Sequence, residues 1–442
     1  MKKRSLGNAL RAAALAATVL LGACVDDGDE LITTVQATPN GGELFTRYVS
    51  MGNSITAGFQ SGGLNDSLQA RAYPVLLAQR AGATFEYPRV AMPGCPRPFL
   101  APLGSTGRLG TADSCVRLNN PRIVNNVAVP GARVRDLFTF PTGSLASLNT
   151  LLMGPRTQVR AMIEARPTFV SLWVGNNDAL EASVGGILGP RAAGADSSLT
   201  PLATFQSRLN TVVDSIKFAN PQGVLLVGVV NAVAAAPILQ PGAYFFLARD
   251  VATNRFQGKL VNANCSPVTA LGTPNPLAAN MVSFQIVGDA NFPEINCDPA
   301  AYPAADPRRG AYLLDQAEIV LVSQRVAQYN AAIQAVATAN NWVYVDPNLI
   351  FQPFLTEKDA AGRYPRVRKC QDLPAATNAA QFQAAVLNSC PVTGPTQAAN
   401  FFGSLMSFDG VHPSTEAHRI LAGRFADRIN TRYGTTLSTA TT

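Results

Sequence analysis

Two stretches of this 442-residue chain are nearly all apolar and lack helical spacing: Thr168-Phe-Val-Ser-Leu-Trp-Val174 and Val224-Leu-Leu-Val-Gly-Val-Val230. Unbroken apolar runs of this length describe strands covered on both faces, the condition of a parallel sheet buried between helices. Their surroundings agree. Residues 45–51, 84–91, 123–129 and 342–345 also read as strands, and helical spacing recurs over 72–81, 156–165, 202–218, 322–336 and 417–429. Strands alternating with helices predict βαβ units and an α/β chain. Three stretches break the pattern, at about 93–120, 237–310 and 354–400. Each holds two cysteines and loses periodicity. They read as loop insertions in one α/β/α domain over 45–432, followed by a tail at 433–442. No internal repeat is visible.

The N-terminus has a different character. Lys2, Lys3, Arg4 and Arg11 precede or enter an apolar run, Ala12 to Leu21, that is too short to span a bilayer stably. It ends in Leu21-Gly-Ala-Cys24, which resembles the lipobox of bacterial lipoproteins. The resemblance implies a signal peptide over 1–24 and lipidation of Cys24; the plainer reading is a secretory signal cut near Ala23. Residues 25–44, acidic and then polar with Pro and Gly, suit a flexible tether. Val25, rather than Asp, after Cys24 points to the outer membrane of a Gram-negative envelope, facing the periplasm or the surface. Without the first 24 residues, 31 basic residues oppose 28 acidic ones. No basic run remains to follow a phosphate backbone, so nucleic acid is not an expected partner.

Apart from Cys24, the six cysteines fall into three sequence-local pairs in an exported chain: Cys95–Cys115, Cys265–Cys297 and Cys370–Cys390. Each pair is expected to form a disulfide closing one insertion. With no Cys-x-x-Cys and no histidine nearby, a zinc site is not expected, nor any other metal.

The candidate chemistry lies at predicted strand ends, where open α/β sheets place their ligands. Gly52-Asn53-Ser54 follows the first strand. Asn126-Val-Ala-Val-Pro-Gly131 follows another, and Gly175-Asn-Asn177-Asp178 follows the strand at 168–174. Near the C-terminus stands Asp409-Gly-Val-His412-Pro413, and only His412 and His418 are available as imidazole bases. A serine hydroxyl needs a base within hydrogen-bond reach, itself oriented by an acid. Ser54, His412 and Asp409 supply that set. The N–H groups of Ser54 and Gly131 and the amide of Asn177 are candidate oxyanion donors. Read singly, each motif could be an ordinary turn. His418, off the apolar stripe of the last helix, is expected to face solvent, Asp178 to order its loop and Trp173 to be core. Asp346, ending the last strand, is set aside as triad acid because Asp409 is closer to His412.

Taken in order, the four blocks resemble those of the SGNH hydrolases, also called GDSL esterases and lipases. The first block has Asn53 where the family usually has Asp. The likeness covers about 45–236 and 311–432. It implies a three-layer α/β/α sandwich around a mainly parallel, five-stranded sheet (flavodoxin-like) and hydrolysis of carboxylic esters by a Ser–His–Asp triad without a cofactor. The expected substrate is a small-molecule or lipid ester, and the expected state a monomer. Phe99, Leu100, Phe245, Phe246, Phe401 and Phe402 would line an acyl pocket or, alternatively, form small cores under the disulfide-tied loops. Two other functions stay open: a carbohydrate or cell-wall O-acetylesterase, and a catalytically silent ligand-binding surface lipoprotein.

Overall fold

A computed structural model describes residues 40–186, 198–249, 256, 258–370, 390–391 and 401–441. The signal segment, Cys24 and most of the tether lie outside the described residues.

Four parallel strands form the central sheet in sequential order: β1 (Tyr48–Gly52), β2 (Phe169–Trp173), β3 (Gly223–Val227) and β4 (Val343–Val345). Tyr48 pairs with Phe169 and Phe169 with Gly223. A fifth segment runs beside β1: Ser50 N–H donates to Asn125 O (2.8 Å), and Val127 N–H donates to Ser50 O (2.9 Å). It makes a single bridge, Ser50 to Asn126, rather than a full strand. The strand expected at 84–91 does not form, although Val90 bridges Arg117 within the first insertion.

The alternation of strand side chains sorts the core into two layers. Val49, Met51, Val170, Leu172, Val224 and Leu226 belong to one cluster. On that side pack α2 (Gln158–Ala165), α4 (Leu202–Ala219) and α5 (Gln316–Ala339). Tyr48, Phe169, Trp173, Leu225 and Val227 belong to the other cluster, with α1 (Tyr73–Ala81), α6 (Pro347–Thr356) and α7 (Thr415–Tyr433). A further helix, α3 (Asn177–Gly185), begins just beyond β2. Helix ends carry their expected signals. Asp315 and Glu318 form a reciprocal capping box at the start of α5. The Ser414 hydroxyl accepts from Ala417 N–H at the start of α7, and Gly434 ends that helix in the left-handed region.

The three cysteine pairs are joined as expected. The second insertion holds some regular structure after all: Leu239–Pro241 pairs antiparallel with Met281–Ser283, and Leu313–Leu314, just beyond the insertion, completes the small sheet. The tether ends earlier than expected, because Leu44 and Phe45 are buried in a short 3-10 turn. The tail is also anchored: Leu437 is buried, and Arg80 Nη1 donates to Ser438 O (2.9 Å).

Candidate active site

At the end of β1 the chain must turn sharply while touching β2. A Cβ on Gly52 would lie 2.3 Å from Trp173 O and 2.5 Å from Thr56 Oγ1, so no larger residue fits there. Gln158, fully buried on α2, clamps this glycine: Gly52 N–H donates to its Oε1 (2.9 Å) and its Nε2 donates to Gly52 O (2.8 Å). Nothing in the local sequence pattern marks Gln158, since the pairing spans 106 positions. Asn53 then caps the one-turn helix Ser54–Ala57, its side-chain oxygen accepting from Ile55 N–H (3.1 Å). An amide oxygen performs this capping as a carboxylate would, although the Asn53 Nδ2 is buried without a hydrogen-bond partner.

Ser54 and His412, 358 positions apart, meet here. His412 Nε2 lies 2.8 Å from Ser54 Oγ, and His412 Nδ1 lies 2.9 Å from Asp409 Oδ2. With the carboxylate at Nδ1, the proton belongs on that nitrogen and Nε2 is left to accept from the serine hydroxyl. Asp409 is held on every side. Its Oδ2 accepts from Gly62 N–H (2.7 Å), and its Oδ1 accepts from the Ser407 hydroxyl (3.1 Å), Val411 N–H (2.9 Å) and His412 N–H (2.8 Å). Burial alone would raise its pKa. The adjacent His412 and these hydrogen bonds outweigh that and bring it down to about 2, keeping the carboxylate ionised. Asp346 is engaged elsewhere, capping α6 by accepting from Asn348 N–H (2.9 Å).

Asn177 opens α3, and its Nδ2 donates to Ala132 O (3.0 Å), which brings it against the loop holding Gly131. The N–H of Ser54 belongs to a first helical turn, where such groups have no intrahelical partner. Gly131 has φ +87° and sits at the loop surface rather than in the lining of the cavity.

That cavity is a mainly apolar slot, partly open to solvent, with Ser54, Asn177 and His412 in its lining. It crosses the carboxyl ends of all four strands. Ile55 follows β1, Trp173 and Leu180 mark β2, Val230 and Ala235 follow β3, and Phe351 and Leu355 follow β4. Val367 of the third insertion and Met406 also line it. None of the six aromatic or aliphatic residues expected from the insertions takes part. Phe245, Phe401 and Phe402 are buried around Phe284 in a small aromatic core, as the alternative reading had it. Phe99 and Phe246 lie under the guanidinium groups of Arg108 and Arg249, and Leu100 is 51% exposed.

His418 also departs from expectation. It is fully buried, its Nδ1 accepts from Tyr73 N–H (3.2 Å), and its Nε2 has no partner. Burial, with a smaller contribution from His412, lowers its pKa to about 3, so it is neutral at ordinary pH. Among the described residues no group of three or more His, Cys, Asp or Glu side chains is placed to hold a metal ion.

Comparison with known proteins adds the following. No curated protein matches the chain. Similar solved structures include a catalytic mutant of an acetylxylan esterase from Geobacillus stearothermophilus, at 14% identity and TM-score 0.31, covering 86% of this chain and 93% of that one. An extracellular lipase from Streptomyces rimosus (16%, TM-score 0.28) covers 69% of this chain and 81% of its own. Phospholipase A1 from Streptomyces albidoflavus (16%, TM-score 0.25) covers 69% and 80%. The model of the GDSL-like lipase/acylhydrolase family matches residues 48–425, which takes in all four sequence blocks. On that match the chain belongs to the GDSL-like lipase/acylhydrolase family, hydrolases of ester bonds.

Proposed function

We propose that this protein is a serine esterase acting on esters of medium to long acyl chains. Ser54 attacks the ester carbonyl as His412 takes its proton, and Asp409 stabilises the imidazolium that forms. The N–H groups of Ser54 and Gly131 and the Asn177 amide bear the charge on the tetrahedral oxygen. His412 returns its proton to the leaving alcohol, then activates the water that releases the acid.

The observation that carries the acyl specificity is the slot. It leads from Ser54 and His412 across the ends of four strands. Beyond Ser54 and His412 its lining is mainly apolar, with Ile55, Leu180, Val230, Phe351, Leu355 and Met406, which suits a hydrocarbon chain. An acetyl group would leave most of this apolar surface unfilled. The membrane-tethered form is part of the same proposal and rests on Leu21-Gly-Ala-Cys24. Incorporation of labelled palmitate, absent in Cys24→Ala, would test it.

The main test is hydrolysis of a nitrophenyl ester series from acetate to palmitate. We expect Ser54→Ala to abolish activity and the wild type to prefer acyl chains longer than acetate. Leu355→Trp, filling the slot at its β4 end, should move the optimum to shorter chains. Activity confined to acetate would refute the acyl reading and favour an O-acetylesterase. Full activity in Ser54→Ala would refute the mechanism, and a folded wild type inert on every ester would favour ligand binding without catalysis.

A further inference from the structure

The proposed oxyanion donors come from three separate segments: the Ser54 turn, the Gly131 loop and the start of α3. Three consecutive residues of the Gly131 loop are gripped by α3. Ala132 O accepts from Asn177 Nδ2, the Arg133 guanidinium pairs with Glu181, and Val134 N–H donates to Asp178 Oδ2 (3.1 Å). The three grips are not equal. The Arg133–Glu181 pair is half-buried, its side chains 11% and 34% accessible, so solvent still screens its carboxylate end. The Asn177 amide carries two N–H groups, so one can stay on Ala132 O while the other faces a substrate oxygen, and its aim then depends on where the loop is held. Asp178 supplies the buried grip on that loop. It is fully buried, and its Oδ1 accepts from the Thr200 hydroxyl (2.9 Å) while Thr200 N–H donates to Asp178 O (2.9 Å). Thr200 O in turn accepts from Tyr329 and Arg325 of α5. The grip is therefore fixed from behind by the longest helix of the fold.

We infer that Asp178 is a positioning residue: through Val134 N–H and Thr200 it holds the Gly131 loop in register with the Asn177 amide during catalysis. This rests on the esterase reading above. The tie is geometric rather than electrostatic. An asparagine can keep both bonds, its oxygen accepting from Val134 N–H and its amide donating to Thr200 Oγ1.

The test compares Asp178→Ala, Asp178→Asn and Val134→Pro on soluble nitrophenyl butyrate, with Ser54→Ala as control. Val134→Pro removes the donor from a position that tolerates proline, since Val134 opens a helical turn and Arg133 before it is extended (φ −88°, ψ 171°). A misplaced oxyanion donor lowers kcat with little change in KM, by about 10-fold or more. We expect that pattern in Asp178→Ala and Val134→Pro, and near wild-type kcat in Asp178→Asn. Where Asp178→Ala does not fold, Val134→Pro and Asp178→Asn still decide the matter. Unchanged kcat in Asp178→Ala or Val134→Pro, with or without a lower Tm, would overturn the inference. So would equal losses in Asp178→Asn and Asp178→Ala, which would put the charge in control. Failure of the esterase reading would show separately, as activity in Ser54→Ala.

Discussion

Acidification should destabilise this protein through a residue that takes no part in its chemistry. His418 is enclosed by Tyr73, whose ring lies parallel to its own, and by the packing of α7 on α1. Its pKa falls from 6.5 to about 3 on folding. A group with a depressed folded pKa contributes stability that is fully present above its unfolded pKa, and that stability is lost as pH falls through the window down to the folded pKa. Between pH 6.5 and 3 the unfolded chain binds the extra proton, so stability must decline across that window. At pH 7 the contribution is almost intact. At pH 5 the unfolded side chain is protonated and the folded one is not, which costs about 2 kcal/mol at 1.36 kcal/mol per unit. The matching variant is His418→Gln, which offers an oxygen to Tyr73 N–H and does not titrate. Urea unfolding of both proteins at pH 7 and pH 5 gives the comparison, because every other titrating group is common to the two. We expect the wild type to lose about 2 kcal/mol more than the variant on going to pH 5. Equal losses would refute the assignment of a neutral, buried His418.

Two further outcomes can be checked directly. Asn177→Ala should lower kcat by about 10²- to 10³-fold with a small change in KM, the signature of a lost oxyanion donor, in steady-state kinetics on a soluble ester. Replacing Cys265 and Cys297 together by serine releases a loop closed over 32 positions, so urea or thermal unfolding should show a loss of about 3 to 4 kcal/mol. Because that insertion contributes no wall to the slot through either cysteine, kcat on short esters should stay near the wild-type value.

The parts legible in the sequence were those written in local order. The apolar runs at 168–174 and 224–230 announced buried strands, and α4 begins at Leu202 as its spacing required. Ser54, Asp409 and His412, which the structure brings within hydrogen-bond distance, each sit in a short block at a strand end or a loop. The cysteines paired by proximity. What stayed hidden depends on contacts between distant segments. His418 lies off the four-residue stripe of α7, yet that helix packs against both α1 and the sheet, burying Ala422 and Ala426 as well. A single-stripe reading supposes one packing face and so places His418 in water. The slot was invisible for a similar reason. Its wall combines Leu180, Val230, Phe351 and Val367, none of them neighbours in sequence. The aromatic residues of the insertions were conspicuous by composition, but Phe245, Phe401 and Phe402 pack around Phe284, and Phe99 and Phe246 lie against arginines.

The loop bearing Asp409 is sewn to two segments far away in sequence, residues 61–62 and 103. Gly62 N–H reaches Asp409, Ser61 N–H donates to the Ser407 hydroxyl (2.9 Å), Phe408 N–H donates to Ser61 Oγ (3.2 Å), and Leu103 N–H donates to Phe408 O (2.8 Å). These stitches tie residues 61–62 and 103 to residues more than 300 positions later. A chain cut before residue 409 would keep Ser54 but lose both Asp409 and His412. Two fragments split within an insertion would have to reassemble through these bonds before Ser54 and His412 could meet.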